Sequence, residues 1–176
     1  ARDGRSCDEW RVYDSGAILR QIGQEPRAWA AARIEDGTAG PPLTAGSDSR
    51  GHYDGDGNDD PTGAWLADLL TRMMEAEFSA IPTEYDEACA LSYPGGGETE
   101  GHAAADRFWL PLRAAFPAAL FAIHHVIGRE DPLLPPRASV RWSLTGPHQG
   151  WGPFGAPSGA QDHIMGMPHA EFGPRG

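Results

Sequence analysis

The chain has 176 residues, 40% of them hydrophobic and 22% charged, the composition of one water-exposed globular domain with a core of its own. Acidic residues outnumber basic ones 25 to 14, a formal charge of −11 with no Lys/Arg cluster, which excludes nucleic acid and anionic membrane as expected partners. No apolar run approaches membrane-spanning length and no signal-peptide pattern opens the sequence, so the expected location is the cytoplasm.

In chain order, "RSCDEWRVYD" alternates and carries Trp10, Val12 and Tyr13, which predicts a strand over residues 5–14. Ser15 reads as a helix cap, and "GAILRQIG" puts Ile18, Leu19 and Ile22 on one face before Gly23 stops the helix. A second short helix follows at "PRAWAAARIE", with Pro26 in its first turn. Residues 36–60 are almost without apolar side chains and rich in Gly, Pro, Ser and Asp, the composition of a flexible linker. Asp60-Pro61 then opens a long amphipathic helix of about four turns, with Leu66, Leu69, Leu70, Met73 and Phe78 at helical spacing.

Beyond it, "IPTEYDEA" predicts a short helix, "CALSYP" a strand and "GGGETEG" a turn. "HAAADRFWLPLRAAF" predicts a helix buried through Ala105, Phe108, Trp109, Leu112 and Phe116, which Pro111 kinks or ends. The rest reads as a meander: "ALFAIHHVIG", "RASVRWSLTG" and "QDHIMGMPHAEF" are strands, with "REDPLLPP" and "PHQGWGPFGAPSGA" as loops. Helices first and consecutive antiparallel strands after them predict an α+β fold, with helices packed on one face of a curved sheet. Strand parity adds a constraint. Arg141 and Trp142 are adjacent and face opposite ways, so only one of them lines a given cavity. His124 and His125 likewise cannot both serve one site from a regular strand.

Metal and cofactor motifs are missing from the sequence. Cys7 and Cys89 have no ligand spacing and read as free thiols in a reducing compartment, a disulfide being the alternative. The seven histidines show no H-x-x-x-H spacing, and "DGDGNDD" lacks the glycine and glutamate of a calcium loop. Neither a phosphate-cradling glycine loop nor a nucleophile elbow occurs. Chemistry without metal or cofactor is expected.

"RWSLTGPHQGWGPFGAPSGA" resembles the Arg-Trp strand and "G-T-H-x-G…G-x-P-P-T-G" loop of the SnoaL-like polyketide cyclases and ester cyclases, members of the nuclear transport factor 2-like superfamily. Pro147 stands in place of the usual threonine, and Ala156 and Ser158 interrupt Pro-Pro-Thr-Gly. "YPGGGETEGHAAADRFWLPLRAAFP" resembles the family's early strand and following helix, so the resemblance spans residues 61–176. It implies a cone, or cystatin-like roll: a curved antiparallel sheet with helices on its concave face. The family's closing strand and helix, expected after "HAEFGPRG", resemble "DEWRVYDSGAILRQIG" at the start of this chain. Residues 1–35 thus read as the closing piece of a cyclase-like unit, 36–60 as the linker and 61–176 as the body. The chain is either a permuted domain or a slice of a tandem repeat. In the permuted reading the Trp10 strand pairs antiparallel with the strand around Glu171, since a bare edge would leave backbone groups unpaired.

The resemblance implies aldol-type ring closure of a polyketide ester by acid/base chemistry in an apolar pocket. Asp14 matches the family's strand-end aspartate; beside apolar walls its pKa would rise and it could exchange protons near neutrality. His148 holds the place of the loop histidine. Trp10, Tyr93, Trp109, Arg141, Trp142, His169 and Glu171 are expected to contact the substrate, and Asp14, His148 and either Arg141 or Trp142 to converge on one cavity. Capping by Asp14 and an Arg141–Glu171 pair are the structural alternatives for those residues. Epoxide hydrolysis and non-catalytic binding of a small molecule are the alternative functions. A buried carboxylate with a hydrogen-bonded His or Arg partner favours an enzyme over a binder. A homodimer formed through the open sheet face is expected.

Overall fold

A computed structural model describes residues 9–48, 53 and 55–173. Five helices and six strands follow in chain order: α1 Ser15–Gln21, α2 Pro26–Glu35, α3 Pro61–Met74, α4 Ala80–Glu84, β1 Ala90–Ser92, β2 Glu98–Glu100, α5 His102–Ala115, β3 Leu120–Asp131, β4 Leu134–Pro147, β5 Gln161–Gly166 and β6 His169–Glu171. None of the helices among the described residues is long and apolar enough to cross a membrane.

The centre of the fold is β4. It pairs antiparallel with β3 along one edge, while β5 and β6 lie end to end along the other. The expected last strand is therefore two strands. Pro168 sits at the break; lacking an N–H, it cannot continue the ladder as a donor, though its carbonyl still accepts from Val140 N. "REDPLLPP", expected to be a loop, instead extends both strands to a tight turn at Pro132-Leu133, with Asp131 opposite Leu134. "GGGETEG" is likewise not all turn, because residues 98–100 pair with β1 as a hairpin.

Alternation along β4 divides the molecule. Ala138, Val140, Trp142 and Leu144 point to the helices and are buried with Leu66, Leu69, Leu70 and Met73 of α3 and Trp109, Leu112 and Phe116 at α5. Asp60 caps α3 through Thr62 N, and Pro61 opens its first turn. The helix ends at Met74, with Ala76 at φ 67°, so Phe78 packs on the core from the following turn rather than from the helical stripe. Pro111 does not end α5, which runs on to Ala115.

The N-terminal region departs most from expectation. Residues 9–14 form no strand, and no backbone pairing joins them to β6 among the described residues; residues 5–8 lie outside the description. β-propensity without a pairing partner does not make a strand. Asp14, rather than Ser15, is the N-cap of α1, and Gly23 follows that helix at φ 75°. Neither α1 nor α2 buries a residue.

Residues 55–58, expected to be part of a flexible linker, are tied to the free edge of β3. Val126 N donates to Asp56 O (2.8 Å) and Asn58 N to Val126 O (3.0 Å). The Asn58 side chain then completes the pairing: its Nδ2 donates to Gly128 O (2.9 Å) and its Oδ1 accepts from Gly128 N (3.0 Å). A carboxamide here stands in for one more peptide unit of a neighbouring strand.

Candidate functional site

The face of β4 turned away from the helices carries Arg141, Ser143 and Thr145. Thr145 faces His163 of β5 in the ladder, and His125 of β3 faces Arg141. The register slips between Ile123 and His125, so that His124 is the extra residue of a β-bulge. In a regular strand one histidine would point to the core. Here His124 Nε2 lies 2.7 Å from Ser143 Oγ while His125 sits beside Arg141, and both serve the same face. This corrects the parity expectation for the two histidines.

Into this face the segment before α3 inserts Asp48, whose side chain is only 9% exposed. One carboxylate oxygen accepts from Arg141 Nη2 and the other from His163 Nε2 (3.1 Å); the arginine and histidine side chains are each 4% exposed. A carboxylate only accepts, so His163 Nε2 carries a proton. In the neutral ring Nδ1 then accepts from Thr145 Oγ1 (2.7 Å). Trp10 lies over the arginine, its ring centroid 5.3 Å from the guanidinium carbon, and 5.4 Å from the His125 ring; Tyr53 closes the group at 5.5 Å from that ring.

Two polar atoms in this buried cluster have no hydrogen-bond partner among the described residues: Arg141 Nε and His125 Nε2. Buried polar atoms are nearly always satisfied, so these two beneath one indole make this face the candidate site. Burial pushes the His125 pKa below its usual value, Asp56 partly opposes this, and the Arg141 charge adds to it. A neutral imidazole beside a guanidinium can exchange a proton with a carbonyl compound while the arginine holds the developing negative oxygen.

The expected site residues divide among several places. Trp10 and Arg141 belong to this cluster. Arg141 pairs with Asp48, not with Glu171; His169 and Glu171 are exposed on β6, opposite Ser139 and Arg137. Trp142, Trp109 and Tyr93 lie on the helix side of the sheet. Trp109 Nε1 donates to Tyr93 Oη (3.0 Å), Tyr93 stacks on Phe108, and buried Trp142 Nε1 has no partner among the described residues. Burial raises the pKa of Tyr93 and of Tyr85, keeping both phenols neutral.

The contacts of Asp14 do not give the raised pKa expected of it. It accepts from Gly95 N (2.6 Å) and Ala17 N (2.8 Å), and these bonds, Gly95 first, hold its carboxyl below the usual carboxylate range. Asp14 caps α1 and also ties it to the β1–β2 turn. His148 is buried at the far end of β4, packed on Phe116, with Ser158 Oγ 3.3 Å from Nδ1. Six residues of extended chain, about 20 Å, separate it from Trp142. Its partners and those of Asp14 are disjoint, so the expected convergence of Asp14 and His148 with Arg141 or Trp142 is not seen in these contacts.

Asp48 and His163 were missed in the sequence. His163 was open to discovery, since it alternates with Met165 on a predicted strand facing "RWSLT". Asp48 gave no signal, because it is one aspartate among many in a segment of low complexity.

No curated protein matches the chain. Among solved structures it is similar to a protein described as a SnoaL-like polyketide cyclase from Jannaschia sp. CCS1, at 15% identity and a TM-score of 0.53 over 66% of this chain and 83% of that one. AclR of Streptomyces galilaeus, described as a hydroxylase, aligns at 19% identity with a TM-score of 0.48 over 64% of this chain and 69% of that one. At such identity the first likeness speaks for the α+β fold alone. The description of the SnoaL-like domain matches residues 66–172, more than half of the sequence, and on that match the chain belongs to the SnoaL-like domain family.

Proposed function

We propose that the protein catalyses cofactor-free, aldol-type ring closure of a polyketide-like ester on the Arg141 face of the sheet. His125 takes the proton next to a carbonyl through Nε2, the enolate carbon adds to a second carbonyl carbon of the substrate chain, and the alkoxide so formed takes the proton back from the imidazolium. Arg141 Nε–H holds the enolate oxygen, and before substrate arrives Asp48, itself held by His163, occupies Nη2. Trp10 covers the reacting atoms and lowers the local dielectric, which strengthens the arginine's hold. The observation that carries the reading is the bulge at His124, which puts His124 on Ser143 and His125 beside Arg141 on one face, where Nε2 of His125 and Nε of Arg141 have no partner among the described residues. Family membership and the buried carboxylate between Arg141 and His163 support it and favour an enzyme over a simple binder. The reading includes a homodimer, which light scattering at micromolar concentration would remove by giving a monomer mass.

The test uses an acyclic diketo ester whose ring-closed β-hydroxy ketone loses water to a conjugated enone that absorbs in the near ultraviolet. His125→Ala is expected to lower kcat about a hundredfold or more, the usual contribution of a positioned acid/base. Arg141→Gln is expected to lower kcat more than it raises KM. Turnover unchanged in His125→Ala would overturn the assignment. Saturable binding with no turnover in the unmodified protein would replace ring closure by small-molecule binding.

A further inference from the structure

The Asp48–Arg141 contact is lopsided. A guanidinium offers a fork, Nε with one Nη, that fits both oxygens of one carboxylate. Asp48 engages Nη2 alone, Nε has no partner among the described residues, and the second carboxylate oxygen reaches across to His163. The receiving groups are built on the sheet. Arg141 and Thr145 are on β4 and His163 is on β5, and the Thr145 bond fixes the histidine ring independently of Asp48. All three lie within the family-matched stretch of residues 66–172, and Asp48 lies outside it. The segment leading to Asp48 adds little else, since residues 36–47 are exposed throughout. It delivers one carboxylate to a rigid receptor with more donors than that carboxylate uses.

Charge narrows the chemistry. The chain carries −11 overall, so its surface repels small anions in general and holds one only where a cation is locally buried. Trp10 over the guanidinium supplies an apolar plane on which the body of such an anion can rest. We infer that Arg141, His163 and Thr145 form a binding site for a small-molecule carboxylate with an apolar body, and that Asp48 is the chain's own occupant of it. The inference rests on reading this face as the ligand-binding one. It deepens that reading by naming a carboxylate group on the substrate or product.

Sodium benzoate is the probe, titrated by calorimetry and by amide chemical shifts, with sodium chloride at matched ionic strength and benzyl alcohol as controls. Asp48→Gly is expected to bind benzoate at least about tenfold more tightly than the unmodified protein, because the competing carboxylate is gone. Benzyl alcohol should not bind, and Asp48→Gly combined with Arg141→Gln should lose benzoate. Equal affinity in Asp48→Gly and the unmodified protein, or benzoate binding that survives Arg141→Gln, overturns the inference. If Asp48→Gly does not fold, Asp48→Asn keeps the shape without the charge, and tighter benzoate binding is still required of it. Benzoate binding without turnover of the diketo ester removes ring closure and leaves the carboxylate site standing; turnover without benzoate binding does the reverse.

Discussion

Replacing Asn58 with alanine tests whether the segment before α3 is part of the sheet. The side chain makes two hydrogen bonds to Gly128, one to its carbonyl and one from its amide, and Gly128 is buried. Each such bond is worth about 0.5–1.5 kcal/mol net, so the pair contributes about 1–3 kcal/mol. Water can reach the edge from the side where Asn58 is exposed, which limits the loss to about 2 kcal/mol. For a chain of this length that is a fall in Tm of about 4–8 °C. Asn58→Asp keeps the acceptor for Gly128 N but sets a carboxylate oxygen against Gly128 O. Its loss should match the alanine variant at neutral pH and shrink in acid, where the protonated carboxyl can donate. Urea and thermal unfolding of both variants give the numbers. An alanine variant within about 0.5 kcal/mol of the unmodified protein would show that the segment is not held by this pairing.

Burial keeps His125 neutral in the folded state at a pH where the unfolded imidazole is charged. The stability tied to it is complete above the unfolded value of about 6.5 and is lost as pH falls from there through the lowered folded value, so stability rises with pH across that window. His125→Gln should flatten this slope in urea titrations, and an unchanged slope would assign it elsewhere. Asp14→Ala should cost about 0.5–1 kcal/mol through the lost cap, speed hydrogen exchange at the Ala17 and Gly95 amides, and leave turnover intact. A hundredfold loss of turnover would return Asp14 to the chemistry. A Cβ at Gly166 would lie 2.3 Å from the Trp142 ring, so Gly166→Ala should displace that indole, cost about 1–3 kcal/mol and change the near-ultraviolet circular dichroism. An unchanged spectrum would mean the ring has room to spare.

Elements with strong period or punctuation were legible in the sequence. The α3 helix was readable from Asp60-Pro61 and its leucines, and α2 from Pro26. The β meander was readable from alternating runs, and the family from "RWSLTGPHQG". What stayed hidden depends on contacts distant in sequence. A bulge leaves no mark in "AIHHVIG", because it is defined by the partner strand's count and not by its own residues. Asp48 looks like its neighbours until a buried arginine 93 positions away selects it. Asp14 was placed correctly beside a helix, yet its role turned on the amide of Gly95, whose approach across the β1–β2 turn no local pattern announces. The strand expected at residues 5–14 had the right composition; residues 9–14 of it pair with no strand among the described residues.

Since β4 carries core and candidate site on opposite faces, Arg141 also acts as a guard on strand alignment. A slip of one residue in the β3–β4 hairpin would turn Val140, Trp142 and Leu144 toward Asp48 and drive the guanidinium among Leu70, Met73 and Trp109. An unpaired buried charge costs several kcal/mol, so the misaligned hairpin is disfavoured by about that much. The residue that would hold an enolate thereby keeps the fold honest, and replacing it with leucine should make misaligned, aggregating species more common even where the native state is no less stable.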